Sequence, residues 1–181
     1  MVDEEKRFVF QTLITTVDYA EGVVCLAQSL QLVQSKGILV CWCPDKEVQS
    51  AVHDCATKTS HKLHNLETRM LSSDVSDVHF DASLQMDKSS FIDAPRRALF
   101  RMGKPFIFLD ADTIAIESFD DLFELLHTAD DSSNNIYAVP NFRNKKRNYN
   151  DNSGNFNAGV MVVPNPSMKG KRRVTFSYDG M

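Results

Sequence analysis

The chain has 181 residues, 43% of them hydrophobic and 24% charged, with a formal net charge of −4. That length suits one domain with a sizeable core, and the acidic balance argues against a general nucleic-acid binder, which would carry a basic face. The charged opening Met1–Arg7 does not read as a secretory signal, so none is expected, and no apolar stretch approaches the length of a membrane span.

Phe8 to Thr15 reads as a first, mostly buried strand, running into the polar turn Thr16–Gly22 with Asp18 as its helix N-cap. A helix is expected from there to about Ser35, with Val23, Leu26, Ala27, Leu30 and Val33 on one side and Gly37 ending it. Ile38–Cys43 is a second buried strand, and Pro44-Asp45 opens a second helix over about Lys46–Ala56. This strand–helix–strand–helix order predicts a layered α/β domain with parallel strands. Cys25, Cys41, Cys43 and Cys55 fall within apolar or helical patterns, and no Asn-x-Ser/Thr acceptor has an allowed middle residue. A reduced, cytoplasmic setting is expected. Cys41-Trp-Cys43 is too tightly spaced for a usual zinc pair and lies in a strand, so buried thiols are expected.

From Thr57 to Asp87 the pattern weakens. Leu63, Leu66 and Met70 point to a helix and Val75–Phe80 to a short strand, while His61 and His64 read as a solvated face rather than a metal pair. Ser89–Met102 reads as a helix carrying Arg96, Arg97 and Arg101. The run Phe106–Leu109 has no polar alternation, as in a strand covered on both faces. It leads into Asp110-Ala-Asp112 and back to the apolar Thr113–Ile116. Glu117–Leu126 follows as a short helix capped by Ser118, with Phe119, Leu122, Phe123 and Leu126 on its apolar side. Ile136–Val139 is a short strand, Pro140–Asn155 a long polar loop containing Lys145, Lys146 and Arg147, and Phe156–Val163 a strand stopped by Pro164. The stretch Met168–Met181 is basic and shows no core pattern.

The acid pair carries the chemistry. Side chains two apart on an extended chain share a face, with Cα atoms about 6.5–7 Å apart. Two carboxylates so placed repel each other, so a positive partner is expected. Two chemistries fit. In one, both acids hold Mn²⁺ or Mg²⁺, which clamps a nucleoside diphosphate and spreads the charge developing as a sugar leaves. In the other, Asp110 attacks phosphorus and Asp112 donates a proton beside Mg²⁺. Leu109–Thr113 does resemble the first motif of haloacid-dehalogenase-type phosphatases. That motif usually sits on the first strand of its domain, whereas here a strand–helix–strand–helix unit precedes it.

Four blocks in order, Ile14-Thr-Thr-Val-Asp-Tyr19-Ala-Glu-Gly22, Phe108-Leu-Asp110-Ala-Asp112-Thr113, Phe119-Asp-Asp-Leu-Phe123 and Phe156-Asn157-Ala-Gly-Val160, resemble glycosyltransferase family 8, closest to its glycogenin and galactinol-synthase-like branch. The resemblance covers roughly residues 8–166. It implies a GT-A fold, a Rossmann-like nucleotide-binding sheet with flanking helices over residues 1–166, followed by a basic tail at 167–181. It also implies a retaining transfer of a hexose, glucose or galactose, from a UDP-sugar with Mn²⁺ (or Mg²⁺), to an acceptor that the sequence does not name. Asp110 and Asp112 would be metal ligands, with Asp110 also near the ribose and Ala111 among the donor-binding positions. Ile14, Thr16 and Tyr19 would form the uracil pocket, Tyr19 stacking on the base. Asn157, with the backbone of Ala158 and Gly159, would face the donor sugar. Arg96, with Arg97 in reserve, would reach the diphosphate from the helix before the acid pair.

The family pattern continues with an Asp-Gln acceptor motif and a late His-x-x-Gly-x-x-Lys-Pro motif, and neither occurs in this sequence. The fold is therefore expected to be incomplete at its C-terminus. The alternatives to a working transferase are the Mg²⁺-dependent phosphatase and a nucleotide-sugar-binding module without catalysis.

Overall fold

In the computed structural model, the structure describes residues 8–60, 62–71, 105–128, 135–140, 156–164 and 173–175. The strands are β1 (Val9–Leu13), β2 (Ile38–Cys43), β3 (Leu66–Met70), β4 (Phe106–Leu109), β5 (Asn135–Pro140), β6 (Phe156–Val163) and β7 (Arg173–Thr175). The helices are α1 (Ala20–Leu32), α2 (Lys46–Thr57) and α3 (Leu122–Thr128), with a 3-10 turn at Val17–Tyr19 leading into α1.

The strands form one seven-stranded sheet in the order β3-β2-β1-β4-β6-β5-β7. β1 is parallel to both β2 and β4, with Phe10 opposite Leu39 on one side and Ile107 on the other. β6 runs antiparallel to β4, Leu109 facing Val160. The chain thus winds outward from β1 through β2 to β3, then returns to place β4 on the other side of β1. In open α/β sheets, ligands gather beyond the carboxyl ends of the strands at such a reversal.

The even burial of β4 follows from its composition. Ile107 and Leu109 face the layer built from α1, α2 and α3, where Phe10, Val23, Leu26, Leu30, Leu39, Val52 and Phe123 pack. Phe106 and Phe108 face the opposite side with Met161 and Val163. A strand apolar at every position has to be covered on both faces, and all four residues are at most 1% exposed.

Several boundaries depart from the sequence reading for identifiable reasons. Asp18 does not cap α1. It sits inside the 3-10 turn, which passes directly into the helix at Ala20, and the cap position falls on Tyr19 with no side-chain bond. Gly37 does not end α1 either. The helix closes at Leu32, and Gln34 takes the left-handed conformation (φ 58°). The Ser35 N–H then donates to the Leu30 carbonyl at 3.0 Å and the Gln34 N–H to the Gln31 carbonyl at 3.1 Å, the paired bonds of a Schellman ending.

Leu66–Met70 is a strand rather than part of a helix, because it supplies a parallel partner to the otherwise open edge of β2. Leu63 and Leu66 still reach the core, while Met70 is 38% exposed. The short helix near Phe119 begins later than expected, at Leu122, because the Ser118 hydroxyl accepts the Asp120 N–H in a preceding turn. Within the basic stretch that showed no core pattern, Arg173–Thr175 pairs parallel with β5. The expected strand at Val75–Phe80 and helix at Ser89–Met102 lie outside the described residues.

Asp45 does cap α2, its Oδ1 accepting the Val48 N–H at 2.9 Å. Asp45→Ala is expected to lower stability by about 1 kcal/mol in urea unfolding, whereas Asp45→Ser should retain most of it.

Candidate functional site

The site is assembled at the shared carboxyl end of β1 and β4. Past β1, Ile14 is buried and donates its N–H to the Trp42 carbonyl at 3.2 Å, which fixes the exit of the chain from the sheet. Thr16 follows, exposed, and then the 3-10 turn, which leaves Tyr19 51% exposed with its ring open to solvent.

Past β4 the chain does not continue the ladder. The Thr113 N–H donates to the Asp110 carbonyl at 3.0 Å, closing a turn on the acid pair. Asp110 is partly buried, Ala111 buried and Asp112 exposed. From there the chain alternates: Ala111 and Ala115 are buried, whereas Asp112, Ile114 and Ile116 face outward, the isoleucines at 65% and 87% exposure. The outer face of this segment therefore presents one carboxylate in line with two bare isoleucines.

β6 arrives antiparallel, so its beginning lies at the same end of the sheet. The Asp110 N–H donates to the Gly159 carbonyl at 2.8 Å, which ties the first acid to the strand that carries Asn157. Asn157 itself pairs with Val139, just beyond a register shift between Ala138 and Val139.

The first turn of α1 closes the arrangement. A Cβ at Gly22 would lie 2.7 Å from the Ala111 carbonyl oxygen, so only glycine allows this approach between helix and acid motif. Residues separated by about ninety positions in sequence are thereby brought into contact.

The structure thus brings together Ile14, Thr16 and Tyr19, the Asp110–Asp112 turn, and the start of β6 with Asn157. It places the third block, Phe119 to Phe123, elsewhere. Phe123 packs between Phe8 and Phe10, with ring centroids 4.6 and 4.8 Å away, beneath the amino end of β1, so that block serves the core. Arg96 and Arg97, expected to reach the diphosphate, lie outside the described residues, as do Lys145, Lys146, Arg147 and His61.

Among the described residues, no group of three or more His, Cys, Asp or Glu side chains is placed to hold a metal. Two carboxylates alone suit a hard cation that completes its shell with phosphate oxygens and water. Cys41 and Cys43 are free and buried, as expected, with sulfurs 3.9 Å apart. The hydrogen bond to Cys43, with burial behind it, pushes the Cys41 thiol well above the usual range, and the same bond draws the Cys43 thiol below it.

An open groove of about 440 Å³ lies between the 3-10 turn and α2, lined among others by Asp18, Glu21, Asp54 and Lys58. Three carboxylates against one ammonium disfavour a polyanion there, and none of Ile14, Thr16 or Tyr19 lines it. The sequence reading passed over Ser29, which is 6% exposed on α1 and accepts the Ala115 N–H at 2.9 Å. The available signal was a serine inside an otherwise apolar helix face.

The galactosyltransferase LgtC, in complex with donor and acceptor sugar analogues, superposes with a TM-score of 0.54 at 17% identity, over 87% of this chain and 58% of that one. The active-site mutant Q189E of LgtC gives 0.55 at 17% identity, over 87% and 57%. The bifunctional glycosyltransferase WbbM gives 0.51 at 14% identity, over 91% and 32%. The chain has the GT-A fold. Its likeness to these enzymes bears out the fold implied by the four sequence blocks. The chain spans less than two thirds of the length of each of these structures. No protein-family model matches the chain, and no curated protein matches it in sequence. No helix among the described residues is long and apolar enough to cross a membrane.

Proposed function

We propose that this GT-A domain binds a UDP-sugar together with Mn²⁺ or Mg²⁺ and serves in retaining hexosyl transfer, with glucose or galactose as the transferred sugar. One observation carries the reading. The acid pair, the exposed Tyr19 and the start of β6 meet at the reversal point of a sheet shared with sugar transferases. Asp110 and Asp112 would hold the metal against the diphosphate. When bound, the metal supplies Lewis-acid stabilisation of the charge left on the diphosphate as the sugar departs. Tyr19, with Ile14 and Thr16, receives the uracil, where a flat ring gives large contact area at low entropy cost. Asn157 faces the donor sugar, and Arg96 is assigned to the diphosphate.

The phosphatase alternative gains nothing from the topology, since the acids follow β4 at the centre of the sheet rather than a domain's first strand. A phosphatase would also have no need of uridine.

Thermal unfolding with UDP, Mn²⁺, both and neither tests the proposal. Both together should raise Tm well beyond the sum of the separate shifts, because each completes the other's site. Equal shifts with inorganic diphosphate in place of UDP would point to phosphoryl chemistry instead. Release of free hexose from UDP-glucose or UDP-galactose then separates an enzyme from a binding module.

A further inference from the structure

The chain from Ala111 to Asp120 lies along α1 and touches it at successive points. At Gly22 the Ala111 carbonyl packs where a side chain would otherwise stand. Two helical turns further on, on the same face, Ser29 Oγ accepts the Ala115 N–H at 2.9 Å while donating to the Leu26 carbonyl at 2.8 Å. Beyond the helix end, the Asp120 carboxylate accepts from Ser35 Oγ at 2.6 Å and from the Lys36 N–H at 3.0 Å.

A buried serine in a helix is costly unless its hydroxyl is satisfied. Here both the proton and a lone pair are used, and the lone pair is spent on the segment that carries the acids. The exposed positions of that segment are then Asp112, Ile114 and Ile116.

We propose that α1 is a splint for the acid pair, and that Gly22 and Ser29 are positioning residues which set the spacing between Asp112 and the Ile14–Tyr19 wall opposite. This rests on the proposed donor site and adds to it the residues that hold its two halves in register. The logic is that of metal sites generally, where groups behind the ligands fix ligand orientation and their loss costs about 10–100-fold in affinity. Gly22 acts by absence, since any Cβ drives the Ala111 carbonyl, and Asp112 with it, away from the helix. Ser29 acts by a directed bond that limits the reach of the segment after the acids.

The test is calorimetric titration of Mn²⁺ into the full chain at saturating UDP, well below every variant's Tm. Gly22→Ala should weaken Mn²⁺ binding about tenfold or more, and Ser29→Ala by several-fold, with Ser29→Thr restoring most of the affinity through its hydroxyl. Val52→Ala, a core truncation on α2 chosen to match the stability loss, should bind as the wild type does. Ser29→Ala keeps the test open should Gly22→Ala fail to fold. Wild-type affinity in Ser29→Ala, or equal weakening in Val52→Ala, overturns the positioning role and leaves the donor site standing. A wild-type chain that binds neither UDP nor Mn²⁺ sinks the proposed function, and the splint's purpose with it.

Discussion

Replacing Asp110 and Asp112 together by Asn should abolish the joint stabilisation by UDP and Mn²⁺ while leaving the protein folded. With the UDP–metal complex, taken as one ligand, near a hundred times its Kd, the wild type should gain about 2.7 kcal/mol. For a chain of this size that corresponds to about 5–10 °C in Tm. Asparagine keeps the volume and one oxygen of each side chain but removes both charges, and a hard divalent cation is held mainly by charge. Asp112 is exposed, so its substitution alone should change stability by no more than about 0.5 kcal/mol. Asp110 is partly buried and its N–H ties the acid turn to Gly159. That bond belongs to the backbone and survives the substitution. Urea unfolding of the ligand-free variant beside the wild type separates loss of binding from any loss of folding. Retention of a UDP-dependent shift that still needs Mn²⁺ in the double variant would place the metal elsewhere and remove the acid pair from the site.

How much of this was legible in the sequence depended on the range of the forces involved. β2 and β4 were readable to their ends, because an unbroken apolar run has one dominant solution, burial between two layers. The acid pair was legible for the same reason, as an abrupt break in such a run. The fate of Leu63–Met70 was not, since its strand form is decided by the free edge of β2 and not by its own spacing. The helix end at Gln34 was missed because a non-glycine residue adopts the left-handed conformation there, held by two carbonyls earlier in the same helix. Within the candidate site, Tyr19 and Asp112 were singled out from motif, but that both follow the carboxyl ends of neighbouring parallel strands is a property of topology. Gly22 against Ala111 and Ser29 against Ala115 join positions far apart in sequence, and no local pattern marks either contact.

Gly37 is a position where a single methyl group should cost the fold heavily. An alanine Cβ there would collide with Phe10 Cε2, lie 2.8 Å from Phe10 Cδ2 and 3.2 Å from Phe123 Cζ. Phe10 is fully buried, with its ring tilted against Phe123 at a centroid distance of 4.8 Å, and Phe123 is stacked in turn on Phe8. The ring has no free side to retreat to, so strain passes along three aromatics. Overpacking of this kind costs about 1–3 kcal/mol, and a rigid buried ring belongs at the upper end, so Gly37→Ala should lose about 3 kcal/mol in urea unfolding. Phe10→Leu alone should also destabilise, by loss of ring contacts. Combined with Gly37→Ala it should lose clearly less than the sum, because the smaller side chain frees the space that the new methyl needs. Additive losses would show that the two residues do not share a packing constraint. Since Gly37 lies at the amino end of the strands, away from the acid pair, the folded fraction of Gly37→Ala should bind UDP and Mn²⁺ with wild-type affinity. The packing that sets the sheet's stability and the turn that sets its chemistry are then separable.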